Sequence, residues 1–251
     1  MTNKVSIIIP CYPPHISHLP NCFSNIFNQT VLPFEVILAI SQVNDSEKNN
    51  LINKYNPLFS ENKHINFIVH NTVEKQYAGQ NRNRGASIAN GDILMFIDAD
   101  DPLSKYKIEL TLKYMQEYNA DVLMHTFDYI PDTSLYHKSF DKDISEIIKT
   151  IKVYNPEQII TMVFGNPPNR NRNKELKSIR ALCKNFPPGI TMGYSTIKSH
   201  VFKKIKYSDR SRGEDTLFFK DCVWARFKTI LITCPLINYL PSSSATPVIL
   251  S

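Results

Sequence analysis

The 251-residue sequence predicts an α/β fold: one domain on a mainly parallel central sheet flanked by helices, with a smaller, less regular second half. Three observations carry that expectation. Short β-branched runs alternate with stretches of helical spacing through the first half, the pattern of right-handed βαβ units. The apolar runs are of strand length, and the longest of them ends in a cluster of carboxylates. Composition shifts little across residue 102, which favours two halves of one domain over two separable modules.

In order along the chain, Val5–Ile9 reads as a buried strand. Leu19, Phe23, Ile26 and Phe27 recur at helical spacing, with Pro20 tolerated in a first turn. Phe34–Ile40 is a second strand, and Asp45 or Ser46 suits the cap of a helix reaching Leu58. Ile65–Val69 is a third strand. Gln80–Asn90 has helical composition and stops at Gly91, a C-terminal signal. Ile93–Ile97 is a fourth strand, followed by a helix over Lys105–Tyr118. Further on, Asp121–Phe127 and Tyr194–Phe202 read as strands, and Gly213 precedes a helix carrying Leu217, Phe218, Cys222, Trp224 and Ala225. Two short strands, Thr229–Thr233 and Leu236–Leu240, close the pattern. Loops rich in Asn and Pro are expected over Asn166–Asn173 and Pro187–Gly189.

Composition narrows the function classes. Hydrophobic residues at 42% and charged residues at 21% argue against wholesale disorder. No apolar run approaches the roughly 18–20 residues that span a bilayer, and Val5–Pro10 is too short for a signal-peptide core. The five cysteines are odd in number, widely spaced and without a Cys-x-x-Cys pair, unlike a disulfide framework or zinc site. Buried thiols in a reducing cytoplasm are the expectation. The net charge of +6 suits a phosphate-bearing ligand, an anionic membrane surface or nucleic acid alike. The densest basic stretch, Lys198–Arg212, scatters its charges through apolar residues and reads as a solvated strand and loop. Nucleic acid is therefore not an expected partner, whereas peripheral membrane contact stays open.

Ligands of parallel sheets bind beyond the carboxyl ends of strands, which singles out Pro10–Tyr12, Ser41–Asn44 and Asp98–Asp101. The last is the most informative. Its three carboxylates repel one another unless solvated or neutralised by a cation. Asp98 and Asp100 share one side of an extended backbone, so one ion can bridge them, or one can hold a metal while the other orients a hydroxyl. Magnesium and manganese commonly use one or two carboxylates together with substrate phosphates. Standing alone, the motif reads equally well as a solvated turn; His15 and His18 read as ordinary loop histidines.

The carboxylates do not stand alone. Val5–Tyr12 opens the chain, Asn28-Gln29-Thr30 ends the first helix, and Gly79–Gly85 precedes Asn90-Gly91-Asp92 just before the carboxylate strand. Gly213-Glu214-Asp215 follows much later. In this order and spacing the set resembles the inverting nucleotide-sugar glycosyltransferases of family 2, with a GT-A fold. The resemblance is close over residues 4–130, thins through 131–190 and returns at 191–225. It implies a nucleotide-sugar-binding half at 1–102 and an acceptor-binding, base-bearing half at 103–251. Pro10 and Tyr12 would cradle the nucleotide base and ribose, and Arg82 would face the base or diphosphate. Asp98 would contact ribose or sugar, with Ala99 beside it, and Asp100 would hold Mn2+ or Mg2+ on the donor diphosphate. Asp101 would rather cap the following helix.

The implied chemistry asks for such parts. Displacing a nucleoside diphosphate from an anomeric carbon leaves negative charge that a cation stabilises, and the incoming hydroxyl needs a positioned base. By the resemblance Asp215 is that base and Glu214 positions the acceptor or its loop. Direct attack without a covalent intermediate inverts the anomeric centre. A UDP-sugar is the expected donor by family frequency, and the acceptor a glycan, glycolipid precursor or glycoprotein. Tyr129, Tyr194 and Trp224 suit sugar stacking or core packing.

The sequence departs from the family at three places. A base-reading aspartate pair is absent from Leu38–Gln42, leaving Ser41 or Asn44 as weaker substitutes. Pro13-Pro14-His15 stands where an Asn usually follows the tyrosine. No histidine follows Asp215; the last is His200. Two competing readings remain. A haloacid-dehalogenase-like phosphohydrolase also places Asp-x-Asp after a strand, but wants Thr or Val where Pro102 stands. The other is a catalytically degenerate sugar-nucleotide binder of the same fold.

Overall fold

The computed structural model describes residues 4–61, 65–129, 143–164 and 194–239. The two expected Asn- and Pro-rich loops, Cys183 and His137 lie outside these residues.

Eight strands form one sheet in the order β3-β2-β1-β4-β7-β5-β8-β6. Its first half is the parallel core expected from the alternating pattern: β1 (Val5–Cys11), β2 (Glu35–Ser41), β3 (Asn66–Thr72) and β4 (Ile93–Phe96). β1 pairs in parallel with β2 and β4, and β2 with β3. Beyond β4, β7 (Thr196–Lys198) runs antiparallel to both β4 and β5 (Val122–Tyr129). β5 then pairs in parallel with β8 (Thr229–Tyr239), and β6 (Val153–Tyr154) borders β8. The sheet is therefore mixed but mostly parallel.

Side chains of a strand alternate between faces, and here the alternation divides the core. Ile7, Ile9, Met95 and Ile97 join the cluster packed by α1 (Leu19–Phe27), α2 (Asp45–Glu61) and α4 (Lys107–Glu117). Ile8, Leu94 and Phe96 join the opposite cluster, which holds Ala86 of α3 (Ala78–Ser87), Val201 of α7 (Ser199–Phe202) and Phe218 of α8 (Glu214–Trp224). The remaining helices among the described residues, α5 (Ile144–Thr150) and α6 (Pro156–Phe164), belong to the second half. The sequence reading expects helical stretches in this half but sets no bounds for either.

Several boundaries differ from the sequence expectation. Asn44, not Asp45 or Ser46, caps α2: its Oδ1 accepts from Glu47 N and its own N–H donates to Glu47 Oε2, a reciprocal box. α2 continues through Pro57 to Glu61. α3 starts at Ala78 and ends at Ser87, so Gly91 is no helix stop; its N–H donates to Ser6 Oγ at the foot of the sheet. Tyr194–Phe202 is not one strand. β7 stops at Lys198 because its partner Ile93 begins β4, and the chain turns into α7. Conversely, the two expected closing strands are one. Around Pro235, which has no N–H to donate, β8 shifts register twice against β5 and continues.

Candidate active site

Parallel pairing brings the carboxyl ends of β1 to β4 to one edge, and a cleft of about 520 Å³ opens there. Pro10 lines it from within β1. A proline is tolerated there because β1 pairs with β4 only as far as Ile8↔Phe96. Tyr12 follows, 40% exposed, with its ring 4.4 Å from that of His15. His15 also lines the cleft, at the start of a 3-10 turn over Pro13–His18. Asp98 and Asp100 line it from the end of β4, so the structure brings Pro10, Tyr12, Asp98 and Asp100 together.

The residues Asp98 to Asp101, just past β4, have different surroundings. Burial first, then repulsion from Asp98, raises the Asp100 carboxyl above its ordinary range, with His15 and His18 opposing. Ala99 is buried. Asp101 does not cap α4, which begins only at Lys107; its carboxylate accepts the hydroxyl of buried Tyr194. Tyr194 is thereby a core residue.

Arg82 is not on the cleft wall. It is 3% exposed and bridges two carboxylates, Nη2 to Asp98 Oδ1 and Nη1 to Glu214 Oε1, each at 2.8 Å. Burial opposes its charge, but Asp98, Tyr207 and Glu214 together hold the guanidinium above its usual pKa. Its Nε has no partner among the described residues. Ser41 is also turned inward: fully buried, it accepts Asn81 Nδ2 at 3.1 Å, while the same amide donates to Cys11 O. Asn44 is occupied as the α2 cap. Neither candidate substitute for the missing aspartates thus lines the cleft.

Gly213 enters α8 with φ 74, a left-handed conformation that a residue bearing Cβ adopts only with strain. Glu214 then turns inward to Arg82. Asp215, partly exposed in the first turn, accepts Thr216 N–H on Oδ1 at 2.6 Å. Among the described residues no group of three or more His, Cys, Asp or Glu side chains is placed to hold a metal ion. Cys11 is pushed up to about 12 by burial, and is a thiol rather than a nucleophile.

The sequence reading reached Gln42, within Ser41–Asn44, but missed the cleft residues that follow β3. Gln42, just past β2, holds φ 59 and donates its N–H to Glu74 O at 3.3 Å. Gln76 and Tyr77, between β3 and α3, line the same space, and Tyr77 is 41% exposed. The rule of strand ends would have found them, since β3 ends at the same edge; that strand end was passed over. Tyr207, stacked at 4.1 Å on Phe218 and lying 5.4 Å below the Arg82 guanidinium, carried no sequence signal.

The chain is similar to known proteins in sequence and in fold. An uncharacterized glycosyltransferase of Methanocaldococcus jannaschii is 26% identical over 239 residues, covering 94% of this chain and 70% of its own. The glycosyltransferase GlyG of Streptococcus pneumoniae is 27% identical over 127 residues, 51% of this chain and 40% of its own. The crystal structure of S. aureus TarS 1-349 in complex with UDP-GlcNAc superposes with a TM-score of 0.62 at 15% identity, over 97% of this chain and 62% of that one. Its complex with UDP gives 0.58 over 91% and 57%. The chain thus spans less than two thirds of TarS 1-349 and of GlyG. These superpositions agree with the GT-A arrangement of sheet and helices. The family model described as Glycosyl transferase family 2 matches residues 6–186, most of the chain, and the protein belongs to that family.

Proposed function

We propose that the protein is an inverting glycosyltransferase that moves a sugar from a UDP-sugar to a hydroxyl of a glycan, glycolipid or glycoprotein. The observation that carries this reading is the cleft at the ends of β1 and β4, where Tyr12, Asp98 and Asp100 face one space. Uridine is favoured as the base because TarS structures of the same fold contain UDP and UDP-GlcNAc. The half up to residue 102 binds the donor in this reading, and the half from 103 onward binds the acceptor and carries the base. No described helix is long and apolar enough to cross a membrane; a cytoplasmic location remains part of the proposal.

Tyr12 offers an aromatic face to the nucleobase, and Tyr77 a second one on the far wall. Asp98, held at Oδ1 by Arg82, orients a hydroxyl of the ribose or sugar. Asp100 suits a divalent cation: a carboxyl raised by burial and by a neighbouring carboxylate gains from a nearby positive charge. Among the described residues no third side chain is placed to complete a metal site, so a Mn2+ or Mg2+ ion would rest on Asp100, with Asp98 near, and on the donor's own phosphates. When bound, such an ion supplies stabilisation of the charge on the departing diphosphate. Asp215 takes the proton of the attacking hydroxyl, and one direct displacement inverts the anomeric carbon.

Thermal stability against nucleoside diphosphates and their sugars, with and without Mn2+, tests the reading. Binding to the folded state alone raises the melting point. A metal-dependent shift with UDP, together with release of UDP from a UDP-sugar, is the expected result. Binding without any turnover favours the degenerate binder; no shift with any nucleotide refutes both.

A further inference from the structure

Arg82 joins two parts of the chain that are far apart in sequence. The partners of its guanidinium, Asp98 and Glu214, come from the end of β4 and the first turn of α8. The guanidinium and its Glu214 pairing are buried, so that half is not loosened by water as a surface pair would be; Asp98 reaches the cleft with its side chain 30% exposed. The surroundings repeat the same connection. Asn83, one residue on in α3, donates Nδ2 to Tyr207 O at 2.8 Å and accepts Tyr207 N on Oδ1 at 2.9 Å. A methyl group at Gly79 would come within 2.8 Å of Glu214 Cγ and 2.9 Å of the Ser208 carbonyl oxygen. One face of α3 is therefore built to receive the segment leading into α8.

We infer that Arg82 and Glu214 are positioning residues: the buried bridge sets the register of α8 against β4, and so places Asp215 relative to Asp98 and Asp100. The inference rests on the proposed transferase reading for its consequence, though not for its geometry. It changes the role of Glu214. A glutamate 8% exposed and hydrogen-bonded to a buried guanidinium is an anchor rather than a group that meets the acceptor. Asp215, the next residue, points elsewhere because successive helical side chains are turned by a large angle, and Thr216 fixes its Oδ1. An arginine suits the task and a lysine does not, because only a planar fork reaches two carboxylates at once.

The experiment compares Arg82→Lys, Glu214→Gln and Glu214→Ala with the wild type, using UDP-GlcNAc and Mn2+ as the probe. Three quantities are read: the rate of UDP release, UDP affinity, and amide hydrogen exchange over Leu217–Val223. Arg82→Lys and Glu214→Ala should lower kcat by about 100-fold, the scale of a misplaced catalytic group. UDP affinity should stay within about threefold in Glu214→Ala, where Arg82 still holds Asp98, and should weaken in Arg82→Lys only as far as Asp98 is released. Exchange over α8 should rise in both variants, with β1 and β2 unchanged. Glu214→Gln keeps an oxygen acceptor for Nη1 and should retain turnover within about tenfold of wild type. If Glu214→Gln falls as far as Glu214→Ala while α8 exchange stays as in the wild type, the carboxylate itself takes part in chemistry and the inference is overturned. Unchanged α8 exchange in Arg82→Lys overturns it equally. A wild type that releases no UDP from any nucleotide sugar counts against the transferase reading, and the exchange contrast still decides the positioning claim.

Discussion

Lys107 and His125 meet in the interior, Nζ against Nε2, although they come from α4 and β5. Neither side chain is exposed, and the His125 ring stacks on Tyr194 at 6.1 Å. Because an ammonium can only donate, Nε2 accepts and the Nδ1 proton goes to Thr126 O, so this histidine is neutral. Burial keeps it so, lowering its pKa well below the ordinary value, with Lys107 acting in the same direction. The pair continues through Tyr194 to Asp101 and so underlies the carboxylate loop of the cleft.

Lys107 should make stability depend on pH. Burial pushes its ammonium down to about 7, with Cys234 and Asp101 opposing. The unfolded chain holds that proton up to its ordinary pKa, so above pH 7 unfolding takes up a proton and stability rises with pH. The slope from this group is at most about 1.4 kcal/mol per pH unit. It disappears as pH falls through 7, where both states are charged and the burial cost is fully felt. Lys107→Met should therefore be more stable than wild type near neutral pH, with the advantage shrinking toward pH 10 in urea unfolding curves.

Asp100→Asn removes a carboxyl already opposed by burial and by Asp98. The fold should be unharmed or more stable, because the substitution relieves burial of charge and repulsion from Asp98. Mn2+-dependent stabilisation by UDP should vanish in a thermal melt. A retained metal-dependent shift would move the cation elsewhere.

Asp215→Asn tests the base. Loss of general base catalysis typically lowers the rate by roughly 100- to 10,000-fold. The fall should appear in kcat, with UDP affinity held, because Asp215 is on α8 rather than among the cleft-lining residues. A loss confined to donor affinity would contradict its assignment.

Tyr12→Ala and Tyr77→Ala distinguish the two cleft walls. Stacking a base on an aromatic side chain contributes about 1–3 kcal/mol. Both rings are exposed, so neither change should alter the melting point of the ligand-free protein much. UDP titration calorimetry should show weaker binding in Tyr12→Ala. A comparable loss in Tyr77→Ala would place the base between the two rings.

The parallel half of the sheet was legible because its signal is local. Val5–Ile9 and Ile93–Ile97 are apolar runs that only a two-sided burial satisfies, and their alternation with amphipathic helices admits few topologies. The second half was less so. Whether Ser199–Phe202 extends β7 or turns into a helix depends on where β4 begins, which is a property of the partner strand. Whether Leu236 starts a new strand depends on how β5 absorbs the register shift at Pro235.

By itself the sequence determined the fold class and the chemistry that two strand ends deliver to one edge: Pro10, Tyr12, Asp98 and Asp100 are close because β1 and β4 are parallel neighbours. Tertiary structure alone decided which polar residues face the cleft. Ser41 and Arg82 are as polar in sequence as Gln42 and Tyr77, yet the first two are buried against Asn81, Asp98 and Glu214 while the latter two are exposed. The reason is that burial and pairing are long-range: Arg82 finds its second carboxylate 132 residues away, and no periodicity in the chain announces that meeting.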